Sequence, residues 1–258
     1  LQTIVEIHLS LKVIQIYNMK YARNILKRIE RIIIKHNLIT EGDRVLVALS
    51  GGKDSLALLE ALAESKKNLP VTFDLMAIHV LIRNMGYVTD INYLDKFCQK
   101  LSIPFVVKEL DAEPEENSKK GICFICSWYR RKAIFDATRE FNCNKLAFGH
   151  HMDDALETLF MNMMYHGSIS SLPYALTMFE GRVQLIRPLL ELTGRELERF
   201  ASECGYKREL KVCPYAQSVR SDVRAVIESM AKQHKIAPKN IFRAMSNIHP
   251  EYLPGYHK

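Results

Sequence analysis

Arg44-Val45-Leu46-Val47-Ala48-Leu49-Ser50-Gly51-Gly52-Lys53-Asp54-Ser55-Leu56-Ala57-Leu58-Leu59 is the stretch that decides the fold. Val45–Leu49 has the length and apolarity of a buried strand, and the residues from Leu56 onward have a helical pattern. A strand that breaks into Gly-Gly and restarts as a helix makes an anion site. Its free backbone N–H groups point at the ligand, and the helix dipole places about half a positive charge there. The dipole contributes only about 0.3–2 kcal/mol, too little to hold a pyrophosphate. The Lys53 ammonium and a divalent metal are expected to share that task.

Outward from this loop, strands alternate with helices. A helix is expected from Tyr21 to Lys35, with Ile25, Ile29, Ile32 and Ile33 on its apolar side. Further strands are expected at Phe73–Val80, Pro104–Leu110, Lys145–Phe148 and Val183–Ile186, with helices at Ile91–Leu101, from the Cys123 region to Glu140, Asp153–Tyr165 and Thr193–Cys204. Asp111–Lys120 has loop composition. The pattern is α/β: a doubly wound parallel sheet with helical N- and C-terminal extensions, which binds ligands beyond the carboxyl ends of its strands. The expected division is an extension at 1–18, a nucleotide domain at 19–205 and a helical segment at 206–258. Residues 5–13 alternate at strand period, and Met19 opens the first long helical pattern; the first eighteen residues read as an extra strand or as upstream translation.

The chain has 258 residues, with 36 basic and 29 acidic side chains and a net charge of +7. Its pI near 9.0 favours polyanionic partners such as RNA. It carries no apolar run long enough to span a membrane, and a cytoplasmic location is expected. The six cysteines then read as metal, redox or core thiols rather than a disulfide frame.

Gly149-His150-His151-Met152-Asp153-Asp154 repeats the logic of the first motif: strand, glycine turn, polar residues, helix. The two aspartates read either as helix N-caps or as ligands to Mg²⁺, because carboxylates beside a triphosphate repel it unless a cation intervenes. Asp54 belongs to the same argument. His79 ends a strand and reads as an adenine contact or as a structural hydrogen bonder. Cys123 and Cys126 form the only C-x-x-C, and Cys213 in Val212-Cys213-Pro214 is the further candidate ligand. Cys98 and Cys204 have core spacing, and Cys143 reads as structural. Trp128 and Tyr129 read as core packing or as a stacking surface for a splayed base. Lys119, Lys120, Arg130, Arg131, Lys132, Arg220 and Arg224 are candidate phosphate contacts.

Taken in order, Ser-Gly-Gly-Lys-Asp-Ser, C-x-x-C-Ser with Arg130-Arg131, Gly-His-His-x-Asp-Asp and a single late cysteine resemble the tRNA 2-thiocytidine synthetase family. These are ATP pyrophosphatases of the PP-loop type, with an adenine nucleotide alpha hydrolase-like fold. The match runs from about Tyr21 to Ile227. The resemblance implies an ATP loop of Ala48, Ser50, Gly51, Gly52, Lys53, Asp54 and Ser55, joined by His79, Gly149, His150 and Asp153. It implies a [4Fe–4S] cluster held by Cys123, Cys126 and Cys213, and catalytic roles for Lys53, Asp54, Asp154 and Arg130. ATP, Mg²⁺, tRNA and a sulfur donor (a cysteine desulfurase or free sulfide) are the implied cofactors and partners, with a homodimer left open. The implied reaction adenylates a pyrimidine C2 carbonyl and replaces its oxygen with sulfur in an anticodon loop.

The sequence departs from that family in two places. Aromatic Trp128-Tyr129 follow the C-x-x-C-Ser where the cytidine enzymes tend to carry basic or apolar residues, and Val-Cys-Pro-Tyr surrounds the late cysteine. The alternative reading is a PP-loop pyrophosphatase on another acceptor (2-thiouridine formation, lysidine-type or small-molecule transfer), with its cysteines on zinc or redox-active. A further alternative is a nucleotide-binding RNA protein without activity.

Overall fold

The computed structural model describes residues 20–85, 89–112, 122–207 and 219–254. The alternation at 5–13, Lys119, Lys120, Cys213 and the Cys123 side chain lie outside the described residues. The described chain forms two compact units, 20–151 with 173–207, and 152–172 with 219–254.

The first unit is a six-stranded sheet, β1 (Arg44–Ala48), β2 (Asp74–Ile82), β3 (Phe105–Leu110), β4 (Lys145–Ala147), β5 (Ala175–Met178) and β6 (Val183–Ile186), in the order β3-β2-β1-β4-β6-β5. All pairs are parallel except β5 with β6. Its helices are α1 (Lys20–Lys35), α2 (Lys53–Asn68), α3 (Ile91–Lys100), α4 (Ile122–Glu140) and, after the sheet, α6 (Gly194–Glu203). Helix α5 (Met152–His166) belongs to the second unit with α7 (Val219–Gln233) and α8 (Ala237–Ala244).

Strand alternation sorts the core into two layers. Val45, Val47, Ala77, Ala147 and Ile186 meet α1, α2, α3 and α6 on one face. Leu46, Ala48, Ile78, Val80, Leu146 and Leu185 meet Ile125, Ile134 and Ala137 of α4 on the other. Helices on both faces make the sheet doubly wound, as the sequence pattern predicts. Ile25, Ile29, Ile32 and Ile33 are buried along one stripe of α1, and each contributes about 1.5–3 kcal/mol. Thr193 and Glu196 close a full capping box on α6, and Gly205, at φ 68°, ends the turn after it.

Strand β5 lies outside the expected pattern. Its residues are only half-buried or exposed, so no apolar run marks it. The hairpin to β6 turns through Phe179 and Glu180 at positive φ before Gly181, an unusual choice of residues for that conformation. In the second unit Met152, Leu156, Val223 and Ile227 form a small core.

The chain order reverses between β1 and its neighbours β2 and β4, so the carboxyl ends of β1 and β4 flank the switch point where such sheets take ligands.

Candidate active site

At the end of β1 the chain turns through Gly51 at φ 86°, a conformation that any Cβ resists. Gly52 is the N-cap of α2. Ser55 ties the loop to the helix: its Oγ accepts from the Ser50 N–H and hydroxyl, both at 3.2 Å, and donates to the Gly52 carbonyl at 2.8 Å. The Gly52 N–H reaches the Ser50 hydroxyl at 3.3 Å. The Ser55 and Leu56 N–H groups bond to the Gly52 carbonyl. Those of Lys53 and Asp54 belong to the part of the first turn that has no intrahelical acceptor. Together these features make an anion cradle.

Lys53 Nζ stands 2.8 Å from Asp54 Oδ1, and His151 Nε2 stands 3.9 Å from the other Asp54 oxygen. Asp54 thus lies between a cation from the first motif and an imidazole from the second. His151 was quoted within the second motif, but only the structure ties it to Asp54.

Gly149 brings the two motifs together. A Cβ there would sit 3.0 Å from the Asp54 carbonyl carbon and oxygen and from the Ser55 nitrogen. The second loop therefore rides directly on the first turn of α2, and only glycine leaves room. His150, next in the chain, stacks on Phe148 with 5.3 Å between ring centres.

His79 is buried, and its Nδ1 lies 2.8 Å from the Leu49 carbonyl oxygen. A carbonyl only accepts, so Nδ1 carries the proton and Nε2 is the acceptor of the neutral ring. This bond braces β2 against the entry to the glycine loop. Ala48 is the last residue of β1 and packs against the α4 layer. Asp153 and Asp154 occupy the first turn of α5 in the second unit.

Helix α4 carries Cys123 and Cys126 three positions apart, a spacing that shares a helix face. Cys126 is half-buried with a free thiol. Arg130 follows it by one turn and is half-buried. The other described thiols are unsuited to metal binding. Burial, then the nearby Asp95 charge, pushes the Cys98 thiol up to about 12. Burial likewise raises Cys143 and Cys204, and protonated core thiols are poor ligands. No group of three His, Cys, Asp or Glu side chains able to hold a metal exists among the described residues.

The two aromatics after the C-x-x-C separate. Tyr129 packs partly against the α4 layer, whereas Trp128 is 46% exposed, so its core-packing reading is corrected. Arg220 and Arg224 hold a buried carboxylate of their own unit, Glu157, at 3.2 and 2.7 Å.

Arg187 escaped the sequence reading. It directly follows β6 at the carboxyl edge, is 5% exposed, and donates from Nη1 to the Pro173 carbonyl at 2.7 Å. Burial lowers its pKa. No ion pair to it occurs among the described residues, and its Nε is without a hydrogen-bond partner there. The signal was a cation immediately after a buried strand. At this edge of the sheet an uncompensated buried cation favours an anionic ligand. A cavity of about 340 Å³ lies instead at the amino-terminal edge, lined by Arg44, Lys66, Asp74, Met76 and Cys143 among others. It holds none of the motif residues.

Residues 18–208 match the PP-loop domain family. The chain is 33% identical to the tRNA-cytidine(32) 2-sulfurtransferase of Hahella chejuensis, over 90% of this chain and 83% of that one. It is 35% identical to the enzyme of the same name from Alkalilimnicola ehrlichii, over 84% and 71%. Among solved structures it resembles the U34-tRNA thiolase NcsA from Methanococcus maripaludis with its [4Fe-4S] cluster. That likeness has a TM-score of 0.72 and 27% identity, covering 92% of this chain and 82% of the other.

Proposed function

Because this chain belongs to the PP-loop family and, within it, to the tRNA-cytidine(32) 2-sulfurtransferases, we propose that it thiolates cytidine C2 in a tRNA anticodon loop at the expense of ATP. The observation that supports this reading is the seating of Gly149 on the Asp54–Ser55 peptide, which sets the glycine turn of the second motif against the first. The cytidine-32 relatives share more identity with the chain than the U34 thiolase does, which favours cytidine over uridine.

A pyrimidine C2 carbonyl has a poor leaving oxygen. Attack by O2 on the α-phosphorus of ATP forms an O–P bond and expels pyrophosphate. Sulfide then attacks C2, and the oxygen leaves with AMP; a persulfide sulfur would instead leave a C2–S–S–R disulfide, which a thiol must then cleave to give the thiocarbonyl and a new disulfide. The glycine-loop N–H groups hold the phosphates, Lys53 stabilises charge developing at the α-phosphate, and Asp54 orients Lys53 and His151. His79 fixes the loop entry beside the adenine. Asp153 and Asp154 are assigned to the nucleotide's divalent cation from their place in the second motif alone. Arg130, one turn beyond Cys126, faces the substrate phosphate or base in this reading.

For the iron–sulfur cluster the described donors fit: Cys126 is a half-buried free thiol on the helix that also bears Cys123, and burial raises the thiols of Cys98, Cys143 and Cys204. Cys123, Cys126 and Cys213 would hold it, and it would supply an iron open to the incoming sulfur. The donor of that sulfur is a desulfurase persulfide or free sulfide.

The test measures tRNA-dependent pyrophosphate release together with nucleoside mass spectrometry of the treated tRNA. Lys53→Ala and Asp54→Ala should each lower release by about 10²–10³-fold, and 2-thiocytidine should vanish. Full activity in both variants would dismiss the assigned ATP chemistry.

A further inference from the structure

Helix α4 buries one side, through Ile125, Ile134 and Ala137. On its other side Phe124 and Trp128 are 47% and 46% exposed. They stand four positions apart, followed by Arg131 and Lys132, so all four lie along one stripe. Lys132 Nζ sits 5.4 Å from the centre of the Trp128 ring. Tyr129 meets the same indole edge-on, with 5.0 Å between ring centres, and so limits its rotation. Arg131 Nε donates back to the Ser127 carbonyl at 3.2 Å and remains exposed.

Single exposed apolar side chains are ordinary. Two large aromatics in register, with two cations in the next turn, are a different pattern. Aromatic faces stack unpaired bases, and adjacent cations meet the phosphates between them. A duplex offers the cations the same phosphates but keeps its bases stacked on one another.

We infer that this stripe, Phe124, Trp128, Arg131 and Lys132, is a docking platform for unpaired bases of the RNA substrate, with Trp128 as the stacking residue. The inference rests on the proposed tRNA activity and deepens it. The platform occupies the C-x-x-C helix on the side away from Cys126, so a base stacked on Trp128 anchors the RNA to the element that carries that thiol.

The test compares two RNAs by fluorescence anisotropy with the full chain carrying its reconstituted cluster: an anticodon stem-loop and a fully paired duplex of equal length. Trp128→Ala should weaken stem-loop binding about five- to 100-fold, leave duplex binding unchanged, and leave the salt dependence unchanged. Trp128→Phe should retain most of the affinity. Lys132→Gln should reduce the slope of log affinity against log salt by about one for both RNAs. A 2-aminopurine placed in the loop should brighten when Trp128 is removed.

If Trp128→Ala weakens both RNAs equally, or neither, while the unaltered chain binds the stem-loop, the platform is wrong and the thiolase reading stands. If RNA binding survives in Trp128→Ala but sulfur transfer from the donor protein fails, the stripe docks a protein and the inference is overturned. If the unaltered chain binds neither RNA, the platform and the tRNA reading fall together.

Discussion

Helix α2, which starts at Lys53, and helix α5, which starts at Met152, each follow a glycine-containing turn, and each buries a glutamate: Glu60 at 1% exposure and Glu157 at 2%. Glu60 accepts a hydrogen bond from the Tyr206 hydroxyl, and Lys100 stands 4.0 Å away. Burial raises its pKa, against the opposing pull of the Tyr206 bond and the Lys100 charge. Glu157 is instead gripped by two guanidiniums, Arg224 at 2.7 Å and Arg220 at 3.2 Å. Charge compensation separates the two buried carboxylates: Glu60 has a neutral phenol donor and one lysine at 4.0 Å, too little to offset its burial, whereas Glu157 has two guanidiniums. The two helices should therefore respond in opposite ways when charge is removed.

The largest effect belongs to Glu157. Arg220→Ala with Arg224→Ala strands a carboxylate that is nearly all buried. The expected loss is about 3 kcal/mol, the low end for breaking a buried pair, because the guanidiniums are themselves half exposed. Adding Glu157→Gln to that double variant should restore most of the loss. Lys100→Ala beside Glu60 should cost under about 1 kcal/mol. Urea unfolding followed by circular dichroism reads all of these. A triple variant no more stable than the double would show that the stranded charge is not the cause.

The turns in front of the helices differ too. Gly51 needs glycine for its conformation, at φ 86°, whereas Gly149 needs it for space. Gly149→Ala forces Cβ against the backbone at the first turn of α2, where no side chain can swing aside. The expected cost is about 1–3 kcal/mol. Displacing the loop by a fraction of an ångström should lower pyrophosphate release by up to about 100-fold. A Gly149→Ala chain with normal release would separate the two motifs that the proposed site joins.

How much of this was legible depended on range. The strand at 44–48, the glycine loop and the stripes of α1 and α6 are written in consecutive residues, and local periodicity reveals them. The Tyr206–Glu60 and Arg224–Glu157 pairs join residues 146 and 67 positions apart, and nothing local to either glutamate announces its partner. Strand β5 was hidden because an exposed edge strand needs no apolar alternation. Gly149 was legible as a turn, but the backbone it approaches was not. Exposure also lies beyond sequence periodicity: Trp128 and Tyr129 are adjacent aromatics, and only the packing of α4 distinguishes the exposed ring from the partly covered one.

The smallest effect is the most diagnostic, because its sign depends on pH. An unfolded glutamate titrates near about 4.3, and the folded Glu60 carboxyl titrates higher. Between those two values the folded state binds more protons than the unfolded state, so this group's contribution to stability falls as pH rises. Above the folded value the loss is complete and constant. Glutamine has no proton to lose. Glu60→Gln should therefore match the parent near pH 4 and gain on it as pH rises. The gain should reach about 1.4 kcal/mol for each unit by which burial has raised the carboxyl, and then level off. Glu157→Gln, which discards half of an ion-paired cluster, should be destabilising at neutral pH. If the Glu60→Gln and parent stabilities run parallel from pH 4 to about pH 8, the carboxyl ionises as easily inside the fold as outside it, and the contrast between the two helices disappears.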